Sequence, residues 1–133
     1  MDYVKINGKI YDNITIALNR NFTILYSDNT GRSLAPGAPM LLDPIGTFYG
    51  YKVTFARKNG HEAAFDTLWE YLSQPRDYGI PVEMVYNQTT LSFKAYVSNG
   101  SQDLKRIDKE SGTVYWNTFE ANFIPIEAQV IAT

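Results

Sequence analysis

The only histidine, His61, is the residue best suited to proton transfer, and it stands where a helix is expected to begin. A helix N-terminus lowers an imidazole pKa, which suits catalysis. However, no cysteine and no Gly-X-Ser-X-Gly elbow accompanies it, so a surface or capping histidine is expected. One histidine with scattered carboxylates has no metal-ligand spacing, and the lack of cysteine removes thiolate zinc sites, disulfides and thiol nucleophiles together. Asp28, Asp43, Glu83 and Glu120 interrupt apolar surroundings and are the carboxylates to weigh as acid and base. Alternation along strands already explains Glu83 and Glu120 as solvent-facing. A glycosidase needs two carboxylates about 5–10 Å apart in a cleft, and no such pairing is visible. Gly31, Gly37 and Gly46 are not followed by the Lys-Ser/Thr step of a phosphate loop. The sequence predicts a protein without catalytic residues, cofactor or metal.

Aromatic residues are the other chemistry on offer. Ten Tyr, seven Phe and two Trp make up 14% of the 133 residues. Tyr49, Tyr51, Tyr86, Tyr96 and Tyr115 with Trp116 could form a sugar-stacking platform, which makes a monomeric carbohydrate-binding module the alternative reading. Half of the rings on alternating strands face a core by default, and interfaces between proteins are rich in the remainder. The net charge of −2, without a basic block, argues against sequence-specific nucleic-acid binding. No apolar run approaches the ~18–20 residues of a membrane-spanning helix, and the N-terminal segment has no signal-peptide character.

The elements that would position these residues are mostly strands, in one β-rich domain over 1–133. Asn7-Gly8 predicts a tight hairpin between 3–6 and 9–11, since both residues tolerate φ > 0. Residues 14–18 and 22–26 alternate with period two and are expected as two core-facing strands, with Asn19-Arg20-Asn21 a turn or a bulge between them. From Asp28 to Thr47 the pattern breaks into Pro, Gly and polar residues around Met40-Leu41-Leu42. A stretch this long is uncommon as a plain loop, and it is expected to be an ordered arm packed on its own domain or on a neighbouring subunit. Pro36, Met40, Leu41 and Leu42 are its expected contacts. A strand follows over 48–55, where Gly50 marks a bulge or a close approach.

One amphipathic helix is expected over about 61–73, capped by Asn59 with Glu62 as reciprocal partner. Phe65, Leu68, Trp69 and Leu72 fall on one stripe that would lie on a sheet face. Strands at 82–86 and 91–97 read as a hairpin through 87–90, with a short edge strand at 104–107. A last strand, opened by Gly112, is expected over 114–126, with Pro125 at an edge or beyond the pairing. The fold class is mainly β: an antiparallel sandwich or barrel with one flanking helix.

This order of features resembles small structural proteins of long-tailed bacteriophages, the tail-tube and distal-tail group. The resemblance is carried by the segment Ile45 to Phe55 after a Pro/Gly-rich loop and by the Phe-Asp-X-Leu-Trp-X-X-Leu helix at Phe65 to Leu72. Lys94 to Val97, Tyr115-Trp116-Asn117, Phe123 to Ile126 and the Val4 to Gly8 start are also similar. The second domain of larger distal-tail proteins has no counterpart. The resemblance implies a virion protein made in a bacterial host, which assembles into a ring of six around a DNA channel beside other tail proteins.

Overall fold

The computed structural model describes residues 3–28 and 30–131. Residue 29, inside the expected arm, and residues 1 and 2 of the N-terminal segment lie outside them. Asn7 and Gly8 adopt φ 51° and 81° and close the hairpin of β1 (Val4–Ile6) and β2 (Lys9–Ile10). A 3₁₀ turn at Asp12–Ile14 follows. The Asp12 carboxylate accepts hydrogen bonds from the Tyr3 and Val4 amides, at 3.1 and 2.7 Å, and so ties the turn to β1.

Next comes β3 (Thr15–Tyr26), a single strand of 12 residues. The expected break at Asn19-Arg20-Asn21 is absent because each of those residues stays in register with the strand opposite. Arg20 reaches across to donate to Asn87 Oδ1 at 2.9 Å and lies over the Tyr86 ring. Short strands β4 (Gly31–Arg32) and β5 (Met40–Leu41) pair with each other, and β6 (Pro44–Phe55) returns along the whole of β3. Residues 44–47, expected in the arm, are therefore strand. Gly50 is a close approach rather than a bulge: a Cβ there would meet Asn21 Oδ1 at 2.6 Å.

Helix α1 (Glu62–Leu72) buries Phe65 and Leu68, while Trp69 and Leu72 pack partly against the same core. Its N-cap is His61, not Asn59. The Glu62 carboxylate takes hydrogen bonds from its own amide and from that of Gly60, which hold its pKa below the ordinary carboxylate value. Then follow β7 (Ile80–Tyr86) and β8 (Thr89–Tyr96), joined by the two-residue turn Asn87-Gln88. Strands β9 (Leu104–Asp108) and β10 (Thr113–Trp116) form a separate ribbon. Gly112 belongs to the turn of that ribbon, at φ 74°. The last strand expected over 114–126 is thus two: β10 and, after a break at Asn117-Thr118, β11 (Phe119–Pro125). Pro125 is buried and in register with Ala95, not beyond the pairing. Strand β12 (Val130–Ile131) closes against Gly46 and Thr47.

The main sheet is antiparallel throughout, in the order β12-β6-β11-β8-β7-β1-β2, with β3 along β6. Strand β11 makes the corner, pairing through 119–123 with β6 and through 124–125 with β8. The sheet therefore folds over itself. Tyr51 of β6 stacks at 5.8 Å on Phe93 of β8 and donates its hydroxyl to the Val85 carbonyl of β7 at 3.1 Å. The result is a mainly β sandwich with one helix, not a closed barrel. Phe119 joins the sandwich to the helix, with ring centroids 5.2 Å from Phe55, 5.3 Å from Phe65 and 5.3 Å from Trp69. Burying a large apolar side chain contributes roughly 1.5–3 kcal/mol, so this four-ring cluster is the main anchor of α1.

Candidate assembly surface

Pairing between β3 and β6 brings side chains of opposed residues to the same face. One face carries Val53 with Leu18, Tyr51 with Arg20, Tyr49 with Phe22 and Thr47 with Ile24. Along this row cover is lost step by step. Val53 and Tyr51 are buried under the other layer, and Tyr49 is half-buried against Tyr86, with ring centroids at 5.4 Å. Tyr86 is the last residue of β7, and the chain turns back there through Asn87-Gln88 into β8. Phe22, directly opposite Tyr49, is 67% exposed. Ile24, Leu25, Tyr26 and Ile45 are exposed as well. Residues 22–26, expected to face the core, instead lie on a hairpin that overhangs the sandwich.

Beyond Tyr26 and Pro44 the connection is folded rather than coiled. The Ser27 amide donates to the Asp43 carbonyl at 2.9 Å, the Asp43 amide to Thr30 Oγ1 at 2.9 Å, and the Ser27 hydroxyl to the Asp43 carboxylate. Strands β4 and β5 continue the ribbon, and the Ser33 amide donates to the Pro39 carbonyl at 2.9 Å. Pro36 and Gly37 occupy the centre of a turn closed by the Ala38 amide on the Ala35 carbonyl, with Gly37 at φ 86°. Proline at the second position and a positive φ at the third are the requirements of a type II turn.

Pro36 in the turn, Met40 and Leu41 in β5 and Leu42 beside the neck are all exposed, Leu41 at 56% and Leu42 at 61%. Leu34, which the sequence reading did not single out, is fully exposed at 105%. Among the described residues of the arm, these apolar side chains are left largely uncovered. Phe65, Leu68, Trp69 and Leu72 stand at the other end of β6, around Phe119, which is in register with Phe55.

The candidates for chemistry stay scattered. His61 is exposed, with no side-chain cap hydrogen bond. Glu120 pairs with Lys52 at 3.1 Å, and Glu83 accepts from the Thr90 hydroxyl at 2.8 Å. Among the described residues no group of three His, Cys, Asp or Glu could hold a metal ion. None of their helices is long and apolar enough to cross a membrane. The six aromatics considered as a platform are divided. Tyr51 is in the core, Tyr49 and Tyr86 pair at the edge of the overhang, Tyr96 is exposed at the end of β8, and Tyr115 and Trp116 belong to the β9–β10 ribbon. There two guanidiniums lie over the Tyr115 ring, Arg57 at 4.7 Å and Arg106 at 4.2 Å from its centroid.

No protein-family model matches this chain, and no curated protein matches it either.

Proposed function

We propose that this chain is a structural subunit that assembles with copies of itself through the β3–β6 overhang, as a virion protein of the phage-tail kind. It works without a catalytic residue or cofactor, joins a ring or tube around a DNA channel, and meets other tail proteins there. The supporting observation is the uncovered apolar surface of one hairpin. Nine large apolar residues between Phe22 and Ile45 are each at least 40% exposed. At roughly 200 Å² for a fully exposed residue of this size, they present on the order of 900 Å². Strand alternation divides this area between the two faces of the hairpin, and a stable interface takes about 800 Å² from each partner. A mildly acidic chain also suits a channel wall, since like-charged walls do not retain DNA. The copy number of six and the place in a virion rest on the resemblance of sequence order. A carbohydrate-binding module has less support, because its stacking residues are divided between the core and separate surfaces.

Light scattering and analytical ultracentrifugation of the purified chain test the proposal. The expected result is a mass that is a multiple of 15.1 kDa, with rings or short tubes in negative-stain images. A chain that stays monomeric at high concentration overturns it.

A further inference from the structure

We infer that the cleft between the C-terminal end of β6 and the β9–β10 ribbon binds a phosphate monoester carried on a small molecule of nucleotide size. The cleft lies at the opposite end of β6 from the overhang, and it does not depend on the self-assembly reading. Its volume is about 530 Å³, inside the range of about 300–1,000 Å³ for small-molecule sites. Three cations line it, Arg57 from just past β6 and Lys105 and Arg106 from β9. Among the described residues no carboxylate lines it.

Two features of the ribbon bring these charges together. Tyr115 is in register with Arg106, so both side chains leave the same face. The guanidinium carbons of Arg57 and Arg106 stand 4.7 and 4.2 Å from the Tyr115 centroid, hence no more than 8.9 Å from each other. An aromatic face attracts a guanidinium, so both long side chains are ordered before a ligand arrives, which lowers the entropy cost of binding. The second feature is a bulge. Trp116 is in register with Leu104, which leaves Lys105 as an extra residue in β9. Strict alternation sends neighbouring side chains to opposite faces, whereas a bulge re-aims one of them. Lys105 and Arg106 accordingly line the same cleft.

The charges are not neutralised from within the chain. Among the described residues the ion pair formed is Lys52 with Glu120, and none of the three cations takes part in one. Nearby carboxylates are engaged elsewhere: Glu62 by its own amide and that of Gly60, Asp108 by the amides of Glu110 and Ser111 at 3.1 and 3.4 Å. A single carboxylate ligand would leave two of the cations unmatched. A phosphate monoester carries about −1.5 to −2 at neutral pH and has three acceptor oxygens, one for each cation, and the planar Arg fork fits them. Past Thr118 the next hollow holds Asp103 and Glu120, so a long polyanion would run into like charge. This favours a compact ligand over a nucleic-acid strand. For the rest of that molecule the cleft offers the part-exposed Trp116 ring and the amides of Asn59 and Asn117, partners for a flat ring with a polar edge.

Calorimetric titration of the purified chain with adenosine 5′-monophosphate at low ionic strength tests the site. Saturation at one site per chain is expected, with adenosine and the dicarboxylate glutarate each binding at least tenfold more weakly. Inorganic phosphate should compete with the monophosphate on the wild-type chain, a measurement that needs no variant. Arg57→Gln and Arg106→Gln, with unchanged urea midpoints, should each weaken binding at least tenfold. Lys52→Gln, which removes a cation outside the cleft, should change it less than twofold. No saturation, equal binding of adenosine or glutarate, or an Arg106→Gln chain that binds like wild type overturns the site. Tighter binding of a single-stranded oligothymidylate than of the monophosphate also overturns it and places a nucleic acid there instead.

Discussion

From Tyr51 to Phe55, strand β6 is paired on both edges and its inward side chains are buried under β7, β8 and α1. From Pro44 to Tyr49 the same strand keeps its full pairing with β3, but the opposite layer has ended at the Asn87-Gln88 turn. The alternation of side chains is alike in the two halves, but the second edge of β6 is paired continuously by β11 from Tyr51 to Phe55 and only at Gly46 and Thr47, by β12, in the other half. The covering layer differs as well. A two-stranded ribbon is marginal by itself, and here it is continuous with a packed sandwich that fixes its register. Order comes from one half and available apolar surface from the other, which is what an assembly arm requires.

The sharpest way to break this comparison is at Phe119, where the covered half meets the helix. Phe119→Ala removes a ring that touches Phe55, Phe65 and Trp69. Truncating a buried Phe costs about 3–5 kcal/mol, so the urea midpoint should fall steeply. A loss below 1 kcal/mol would show that the helix is not anchored there.

Gly50 lies at the boundary between the halves. In Gly50→Ala the new methyl would stand 2.6 Å from Asn21 Oδ1. Because that atom belongs to a side chain in register on the neighbouring strand, either Asn21 rotates or the strands part. Overpacking of this kind costs about 1–3 kcal/mol, measured by the same denaturation. An unchanged midpoint would mean that Asn21 moves freely and that the boundary is as loose as the overhang.

Much of the covered half can be read directly from residue order, and much of the overhang cannot. Phe65, Leu68, Trp69 and Leu72 repeat at helical spacing, and Asn7-Gly8 has the turn chemistry that a hairpin needs, so both are local signals. Asn19-Arg20-Asn21 looks like a turn because three polar residues interrupt an apolar run. It is strand because Arg20 finds Tyr86 and Asn87, and Asn21 lies over Gly50, partners far away in sequence. The row Phe22, Ile24 and Tyr26 reads as core-facing for the same reason. Alternation says which residues share a face, but not how far the opposing layer extends. Pro36 and Gly37 announce a turn, yet Leu34 carries no signal of its own, since its exposure depends on a ribbon set by pairs farther down β3 and β6.

Tyr51 gives a smaller effect and a dependence on pH. Its hydroxyl donates to the Val85 carbonyl across the two layers, and a bond of this type contributes about 1 kcal/mol. Tyr51→Phe should lower stability by about that amount at neutral pH. Burial raises the Tyr51 pKa above its ordinary value, with nearby Arg20 opposing. A group with a raised folded pKa contributes stability that is complete below the unfolded value of about 10 and is lost as pH climbs through the folded one. The wild type should therefore weaken above pH 10, and Tyr51→Phe should weaken less. Equal slopes for the two proteins would place the alkaline transition at another tyrosine, such as Tyr11, whose pKa burial also raises.

The smallest effect on folding, and the most informative, is expected at Phe22. It stands opposite Tyr49, two pairs beyond Tyr51 and on the same face, at a strand position equivalent to those that are buried. If the overhang is open in the isolated chain, Phe22→Thr removes a ring that touches little. It also places a β-branched residue where strand geometry favours one. The urea midpoint of the monomer should then stay within about 0.5 kcal/mol of wild type, as for an ordinary surface substitution. If copies cover that ring when they join, the same substitution should raise the concentration needed for assembly several-fold, as read by light scattering. A large fall in monomer stability would place Phe22 under a cover supplied by its own chain, and the two halves of β6 would then differ far less than their exposures indicate.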